Sequence, residues 1–272
     1  MHPELDPEFA IELLKSPGEL DNKYSRGCVG FVTGSNQYPG AALLGINAAF
    51  ELEVGMVQYQ GPTEVSNLVL SSRPEVVLGL DKAEFLVIGS GISDTNQDQL
   101  ESLQNAVSSG KPLLVDGGAM TICDLSLISL GILTPHAKEA EKIFAKYGHH
   151  RAAKDISGNP VASAIELAEI TGLVVLLKGS ITVLAVEGER AIESGPGSAH
   201  LAQAGTGDLL AGMIGALSAK LIGSGRSLNP KLLRDVALLA NQLHSEAAEL
   251  SAARGEFGAS SICNAISEAA GN

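Results

Sequence analysis

The segment Leu173-Val174-Val175-Leu176-Leu177-Lys178-Gly179 is apolar over five consecutive residues and then ends in a cation and a glycine. A strand that is apolar on both of its sides is typical of a parallel sheet with both faces covered. Similar apolar runs recur along the chain, and segments of helical length separate them. This alternation predicts an α/β fold in which helices cover both faces of a mostly parallel central sheet.

The predicted elements extend over most of the chain. Strands are predicted at 28–34, 55–59, 84–91, 112–118, 131–136 and 173–179, with a hairpin at 181–194. Helices are predicted at 41–53, about 94–108, 138–146, 161–169, 206–221, 230–250 and 259–269. No repeat or low-complexity linker interrupts them, so we expect residues 1–272 to form a single domain.

Composition and charge limit the partners that the chain can have. It carries 18 Lys and Arg against 31 Asp and Glu, a formal net charge of −13. Because nucleic acid attracts basic surfaces, we expect no nucleic-acid partner. No apolar run approaches the ~20 residues of a membrane helix, and the N-terminal segment is acidic, so we expect no membrane partner and a cytoplasmic location. Cys28, Cys123 and Cys263 form no C-x-x-C pair and are expected to be reduced thiols.

Chemically useful residues lie where the predicted strands end. In parallel sheets, ligands bind beyond the carboxyl ends of the strands. Those ends carry Gly34, Gly89-Ser90-Gly91, Asp116, Lys178-Gly179 and the loop that leads into Gly205. We therefore expect these residues to share one edge of the sheet.

The segment Gly205-Thr206-Gly207-Asp208 opens a long apolar helix. Glycines at a helix start leave backbone N–H groups accessible to an anion, which the positive end of the helix also attracts. Asp208 falls in the first turn, where a carboxylate can take a proton from a hydroxyl as a general base. The sequence leaves open the simpler interpretation that Thr206 or Asp208 only caps the helix.

The other polar candidates each have two interpretations. Lys178 either contacts phosphate or ends its strand in solvent. His136, alone in its Thr-Pro-His segment, is more often a hydrogen-bonded structural residue than a ligand contact. Asp116 either faces a ligand or caps the next helix, and Glu139, one turn beyond His136, is by itself a solvated helix residue.

Two common nucleotide motifs are absent, and no metal site is predicted. A P-loop requires a Lys after its glycines, and a dinucleotide-binding fingerprint requires a third glycine where this chain has Leu210. The pair His149-His150 is expected to lie on the surface. The chain therefore fits neither a P-loop enzyme nor a standard Rossmann dehydrogenase.

Seven short motifs follow one another along the chain. They are Lys23-Tyr24-Ser25-Arg26-Gly27, Gly34-Ser35, Tyr38-Pro39-Gly40-Ala41-Ala42, Gly89-Ser90-Gly91, Leu133-Thr134-Pro135-His136 with Glu139, Lys178-Gly179-Ser180-Ile181-Thr182, and residues 204–212. In this order they resemble the ADP/ATP-dependent NAD(P)H-hydrate dehydratases, a ribokinase-like family, over nearly the whole chain. Any single motif occurs in other ribokinase-like enzymes, whereas the ordered set is specific.

The resemblance implies a ribokinase-like three-layer sandwich that forms one catalytic domain, and a metabolite-repair lyase. ADP or ATP would phosphorylate the C6 hydroxyl of the S-epimer of NADHX or NADPHX, and phosphate would then be eliminated to restore NADH or NADPH. The implied catalytic residues are Asp208 as the base, with Gly205, Thr206 and Gly207 around the phosphoryl group. The implied substrate contacts are Ala41, Gly91, His136 and Asp208. The implied nucleotide contacts are Lys178, Gly179, Ser180, Ile181, Thr182 and Gly207.

The resemblance also implies a magnesium ion and an assembly. Mg²⁺ would bridge phosphate oxygens, and Asp116 and Glu139 would reach it through water. We expect a homo-oligomer, with a tetramer as the favoured state, and an epimerase that acts as a separate chain. Two departures from the family pattern fall near the implied substrate pocket: Ser90 replaces a proline, and Ala137-Lys138 replaces Pro-Gly.

Two other functions remain open at this stage. A ribokinase-like kinase of a small alcohol, such as a thiazole or pyrimidine, would use the same Asp208 but release a stable phosphorylated product. A non-catalytic nucleotide-binding regulator would use only the anion site. The sequence does not decide whether the nucleotide is ADP or ATP, or whether the substrate is NADHX or NADPHX.

Overall fold

A single sheet organises the computed structural model, which describes residues 2–271. Within this range nine strands take the spatial order β3-β2-β1-β4-β5-β6-β7-β8-β9. Strands β1 to β7 are parallel, and β8 and β9 run antiparallel at one edge. The strands are β1 Cys28–Val32, β2 Met56–Tyr59, β3 Val77–Leu78, β4 Phe85–Ile88, β5 Leu113–Val115, β6 Gly131–Leu133, β7 Val174–Leu177, β8 Thr182–Ala185 and β9 Ile192–Ser194.

Helices connect the strands and close the described chain. They are α1 Pro7–Leu14, α2 Gly40–Glu51, α3 Thr63–Ser72, α4 Leu100–Val107, α5 Ala119–Ile122, α6 Ala137–Lys146, α7 Ala153–Gly158, α8 Pro160–Thr171, α9 Thr206–Gly223, α10 Pro230–Ala253, α11 Ala259–Asn264 and α12 Ile266–Ala269. None of these helices combines the length and the apolar character that a membrane crossing requires.

Strand β7 shows why its sequence is continuously apolar. Val174 and Leu176 face a core formed with α2, α9 and α10. Val175 and Leu177 face a second core formed with α4, α6 and α8. Successive side chains of a strand point to opposite faces, so a strand covered on both sides has no position for a polar residue. The predicted three-layer α/β architecture is confirmed.

Most helix boundaries lie within three residues of the prediction, and two helices differ more. The helix predicted from about residue 94 begins only at Leu100, because the preceding segment turns back and the Gln99 side chain donates to the Gly34 carbonyl at 2.8 Å. The helix predicted at 259–269 is divided into α11 and α12, where the Ala265 N–H bonds to the Ile262 carbonyl, only three residues back. The elements α5, α7 and β3 were not predicted, since each is too short to show a clear period. The prediction also missed α1 and α3, although they are as long as α4 and α6, with 8 and 10 residues.

A glycine contact fixes α2 against α9. A Cβ atom placed on Gly212 would lie 2.1 Å from the carbonyl oxygen of Gly45, which is closer than any side chain can approach. The two backbones are therefore in direct contact. This contact sets the start of α2, which carries Ala41, relative to the start of α9, which carries Asp208.

Candidate active site

Five parallel strands end at the same edge of the sheet. The segments that directly follow β1, β4, β5, β6 and β7 lie there, and together they are called the rim. The Gly34 N–H donates to the Ser90 carbonyl at 2.7 Å, which joins the segments after β1 and β4. The Lys178 N–H donates to the Pro135 carbonyl at 2.8 Å, which joins those after β6 and β7. The strand ends that the sequence analysis placed together do lie side by side.

Asp116, directly after β5, is the most highly connected side chain of the rim. Its Oδ1 accepts hydrogen bonds from Thr134 Oγ1 at 2.8 Å and from Lys178 Nζ at 3.0 Å. Its Oδ2 accepts one from Ser90 Oγ at 3.0 Å. Gly118 is the cap residue of α5, without a side-chain cap bond, so Asp116 does not cap that helix. Ser90, which departs from the family pattern, thus has a definite role as a donor to Asp116.

Asp116 and Lys178 hold each other in their charged forms. Burial raises the pKa of Asp116, but the Lys178 charge and the bonds from Lys178, Thr134 and Ser90 outweigh it, so the pKa lies below its ordinary value. Burial lowers the pKa of Lys178, and the charges of Asp116 and Glu139 more than reverse this. A Cβ atom on Gly207 would be 3.6 Å from Lys178 Nζ, so this fixed cation lies beside the start of α9 and does not extend into solvent.

The start of α9 presents backbone donors. Gly205 precedes the helix with a left-handed φ of +91°, and no side chain caps this end. The first backbone bond of the helix runs from the Leu209 N–H to the Gly205 carbonyl, at 3.2 Å. The N–H groups of residues 206–208 therefore precede the hydrogen-bonded ladder and are available to an anion. Neither Thr206 nor Asp208 acts as the cap that the simpler interpretation required.

Thr206 holds the loop that enters α9. Its buried Oγ1 donates to the carbonyls of Leu201 at 2.9 Å and Gln203 at 3.0 Å. This hydroxyl is directed away from the free N–H groups and toward the incoming chain. Thr206 therefore shapes the anion site and does not contribute its side chain to it.

Asp208 is half-buried, and its pKa is raised to about 7. Burial is the largest cause and the negative charge of Asp116 adds to it, while Lys178 acts in the opposite direction. A carboxylate whose pKa lies near neutrality can accept and release a proton at physiological pH, as a general base must. Perturbed carboxylates of this kind are concentrated at functional sites.

Ala41 and Gly91 lie against each other at the rim. A Cβ atom on Gly91 would be 2.4 Å from Cβ of Ala41, and Ser35 Oγ donates to the Gly91 carbonyl at 2.8 Å. A cavity of about 240 Å³ opens here, lined by Gly91 and Glu139 among others. The cavity thus joins the segment after β4 to the start of α6.

His136 and Glu139 form the N-terminal cap of α6. His136 Nδ1 accepts from the Glu139 N–H at 3.1 Å, and Glu139 Oε2 accepts from the His136 N–H at 2.9 Å. Half of the His136 side chain remains exposed, and Glu139 Oε2 lies 4.0 Å from Lys178 Nζ. His136 thus has the hydrogen-bonded structural role that the sequence favours. Glu139 belongs to the charge network of the rim and is not simply a solvated helix residue.

The turn from β7 to β8, residues 179–181, packs against the loop Gly195-Pro196-Gly197. The Gly197 N–H donates to the Ser180 carbonyl at 3.0 Å, and Thr182 pairs with Ser194 across the hairpin. A cavity of about 470 Å³ is lined by this loop and by Ser245 of α10. The predicted nucleotide segment therefore contacts a loop that lines a cavity.

Sequence reasoning missed His244 of α10. Its ring is buried, with 4% exposure, and makes a hydrogen bond with the Thr206 backbone. Burial lowers its pKa to about 4, with a small contribution from the Lys178 charge, and Nε2 has no partner among residues 2–271. The available signal was a histidine within the apolar stripe of an amphipathic helix.

The chain shares its α/β fold with a ribokinase-like superfamily protein of Enterococcus faecalis, with a TM-score of 0.78 at 18% identity over 98% of this chain. Residues 29–269 match the family model described as NAD(P)H-hydrate dehydratase. The chain belongs to the NAD(P)H-hydrate dehydratase family.

Individual relatives agree with this assignment. The bifunctional NAD(P)H-hydrate repair enzyme Nnr of Mycobacterium tuberculosis is 34% identical over 222 residues, 78% of this chain and 45% of that protein. The ADP-dependent (S)-NAD(P)H-hydrate dehydratase of Lactococcus lactis is 25% identical, with 89% of this chain and 88% of that protein covered. The Bacillus subtilis ADP/ATP-dependent NAD(P)H-hydrate dehydratase, crystallised with ATP/Mg²⁺, has the same fold, with a TM-score of 0.79, 22% identity and 98% of each chain covered. The chain spans about half the length of the bifunctional relatives that it matches.

Proposed function

We propose that this protein dehydrates the S-epimer of NAD(P)H-hydrate to NADH or NADPH at the expense of ADP or ATP. The observation that carries the proposal is the position of Asp208. Its half-buried carboxylate, with a pKa near 7, lies in the first turn of a helix whose leading N–H groups are free and whose neighbour is the fixed cation Lys178. This arrangement suits the deprotonation of an alcohol beside a phosphoryl group.

In the proposed reaction, Asp208 accepts the proton of the C6 hydroxyl. The hydroxyl oxygen bonds to the terminal phosphorus, and that phosphorus separates from the bridging oxygen, so that ADP leaves as AMP or ATP leaves as ADP. The C6–O bond of the phosphorylated hydrate then breaks, phosphate leaves with the electron pair, and loss of the C5 proton restores the ring double bond. The N–H groups at Gly205-Thr206-Gly207 and the Lys178 ammonium stabilise the charge that develops on the phosphoryl oxygens.

The proposed nucleotide site extends from Lys178 along Gly179, Ser180, Ile181 and Thr182, with Gly207 at the phosphates. Its support is the cavity of about 470 Å³ beside the loop that Ser180 holds. This volume lies within the ~300–1,000 Å³ usual for small-molecule sites. The proposed hydrate contacts are Ala41, Gly91 and His136. Gly91, which lies against Ala41, and Glu139, which caps α6 together with His136, both line the smaller cavity.

Mg²⁺ is proposed to enter with the nucleotide. Residues 2–271 contain no group of three or more His, Cys, Asp or Glu side chains arranged around a metal position. Mg²⁺ commonly binds to substrate phosphates and water with one or two carboxylates, and Glu139 and Asp116 supply carboxylates at the rim. When bound, the ion neutralises charge on the phosphate oxygens.

The test measures recovery of the reduced-nicotinamide absorbance band when the protein receives the hydrate, ADP or ATP, and Mg²⁺. We expect the band to return with the wild-type protein. The Asp208→Asn variant should bind nucleotide but turn over at least ~10²-fold more slowly, since general base catalysis typically contributes this much. Wild-type turnover by this variant would remove Asp208 from the mechanism.

The same assay separates the competing functions. Accumulation of a stable phosphorylated alcohol without return of the band would indicate a small-alcohol kinase. Nucleotide binding without any turnover would indicate a regulator.

We further propose that the chain acts as one catalytic domain within a homo-oligomer, favouring a tetramer, and that a separate epimerase supplies the S-epimer. Light scattering on the purified protein tests the assembly. With a mixture of the two epimers, turnover should stop when the S-epimer is consumed and resume on addition of an epimerase. Full consumption of both epimers by this chain alone would contradict the separate-epimerase proposal.

A further inference from the structure

A small cavity lies at the opposite end of α9 from the candidate active site. It has a volume of about 120 Å³ and is lined by residues of α1, the segment before β1 and the last turns of α9. Lys220, one of its lining residues, is twelve residues beyond Asp208, which corresponds to about 18 Å along the helix axis. No part of the proposed reaction uses this cavity.

Two cations of the cavity are buried: Arg26 is 8% exposed and Lys220 is 6% exposed. Arg26 donates to the carbonyls of Glu53 and Lys15, and Lys220 Nζ donates to the Leu52 carbonyl at 3.1 Å. The carbonyls of Leu52 and Glu53 follow the end of α2, so both cations stabilise that helix terminus, whereas the Lys15 carbonyl follows the end of α1. Each Lys ammonium has three donors, and the Leu52 carbonyl accounts for one donor of Lys220.

Lys220 shares the negative charge of Glu53 with Arg26. Arg26 pairs with Glu53 at 3.5 Å, whereas Lys220 Nζ donates a hydrogen bond to a backbone carbonyl. Burial and the Arg26 charge lower the pKa of Lys220 to about 8, and the charge of Glu53 acts in the opposite direction. A buried ammonium is costly unless its charge is balanced, and an anion beside it would remove much of that cost.

The two acidic side chains of the cavity already have partners, among them the lining residues Arg226 and Ser25. Glu12 Oε2 pairs with Arg226 Nη1 at 3.1 Å. Asp21 accepts from the Gly18 N–H at 2.8 Å and from Ser25 Oγ at 2.9 Å. Lys15 adds a further cation to the lining. The lining therefore combines an excess of positive charge with serine hydroxyls.

We propose that this cavity binds a small oxyanion, inorganic phosphate, between Lys220, Arg26 and Lys15. The volume decides the size of the ligand. A cavity of about 120 Å³ holds a tetrahedral oxyanion with a few waters, and it is well below the ~300 Å³ at which sites for larger molecules begin. The site is separate from the anion-binding start of α9 and does not depend on the proposed reaction.

The test is titration of the purified full chain with inorganic phosphate at pH 7 and low ionic strength, by calorimetry and by amide chemical shifts. Lys220→Met removes the buried charge, and Lys15→Glu reverses the charge of an exposed lining residue. Lys178→Met is the matched control, because it removes the cation of the rim and leaves the cavity intact. Circular dichroism establishes that each variant is folded.

We expect saturable binding in Lys178→Met, with shift changes at Ser25 and Ser224. Phosphate affinity should fall at least ~10-fold in Lys220→Met, since a buried charge–charge hydrogen bond typically contributes at least this much. It should fall at least ~3-fold in Lys15→Glu, a variant that tests the site even if Lys220→Met does not fold. Phosphate affinity unchanged by Lys15→Glu, or no saturable binding in Lys178→Met, would overturn the proposal. Neither outcome depends on hydrate turnover.

Discussion

At the scale of single residues, two aspartates near the rim have different surroundings and therefore different pKa values. Asp116 accepts three hydrogen bonds, one of them from Lys178, and its pKa is lowered. Asp208 is partly buried, faces the negative charge of Asp116, and its pKa is raised. Opposite pKa shifts of two neighbouring carboxyl groups indicate that the groups have different roles. Asp116 is suited to hold Lys178, and Asp208 is suited to exchange protons.

The raised pKa of Asp208 predicts how activity depends on pH. Because a general base must be ionised, kcat/KM for the hydrate should rise about tenfold per pH unit below pH 7 and level off above it. The measurement is the initial rate at low hydrate concentration from pH 5.5 to 8.5. A profile that is flat from pH 5.5 to 7 would show that Asp208 does not titrate in the rate-determining step.

The position of this midpoint should depend on Asp116. Asp116→Asn removes the negative charge that raises the pKa of Asp208, so the midpoint should move to lower pH. Ser71→Ala, at an exposed hydroxyl in α3, serves as the control and should leave the profile unchanged.

At the scale of elements, the site depends on where two helices begin. The contact between Gly45 and Gly212 fixes α2 against α9, and the loop before α9 is held by Thr206 and by bonds to α10. Asn241 Nδ2 donates to Ser194 Oγ at 3.0 Å, and Ser245 Oγ accepts from the Ser198 N–H at 2.8 Å. Helix α10 therefore supports the segment that shapes the anion site.

Gly212→Ala tests the contact between α2 and α9. Its Cβ would meet the Gly45 carbonyl at 2.1 Å, and backbone atoms on both helices must move to make room. We expect a loss of ~1–3 kcal/mol in the free energy of unfolding, comparable to overpacking of a core. Denaturant unfolding followed by circular dichroism measures it.

Gly158→Ala, at the end of α7, is the matched control. No atom lies within 4 Å of its built Cβ, so this change should be neutral or stabilise by up to ~1 kcal/mol. Equal stabilities of the two variants would show that the helices separate at little cost.

At the scale of the whole molecule, the parallel sheet assembles the site from distant parts of the chain. Asp116 and Lys178 are 62 residues apart in sequence yet in direct contact, and each follows a different strand.

His244 and Asp208 lie on neighbouring helices, and folding shifts their pKa values in opposite directions from their ordinary values. The two shifts therefore have opposite effects on how the free energy of unfolding depends on pH.

These two groups predict compensating effects of pH on folding. The His244 pKa falls from 6.5 to about 4 on folding, so the unfolded chain binds more protons and stability falls as the pH decreases from 6.5 to 4. The Asp208 pKa rises from 3.8 to about 7, so the folded chain binds more protons and stability increases as the pH decreases over the same range. The contributions of these two groups to the wild-type stability should therefore largely cancel between pH 4.5 and 6.5.

Single variants should expose the two effects. Stability of His244→Gln should increase toward low pH, and stability of Asp208→Asn should decrease, each by up to ~1.4 kcal/mol per pH unit. Urea unfolding at several pH values measures the slopes, which are independent of any constant loss from the substitution itself. Parallel curves for the wild type and both variants would rule out this linkage.

Local patterns were sufficient to predict much of this protein. The apolar strands, their parallel arrangement and the helix that follows Gly205 could be predicted because hydrophobic periodicity and glycine placement act over a few residues. The ordered motifs also identified the family. The roles of Asp208, Lys178 and the other proposed site residues stay predictions until the variants are measured.

Only the tertiary structure decided which of the open interpretations holds for the rim. It showed that Asp116 binds Lys178 instead of capping a helix, that Ser90 replaces a proline to donate to Asp116, and that Glu139 both caps α6 and approaches Lys178. It also revealed His244 and the cationic cavity at Lys220. The physical reason is that burial and the charges of neighbouring strands set these properties, and residues far apart in sequence become neighbours only when the sheet forms.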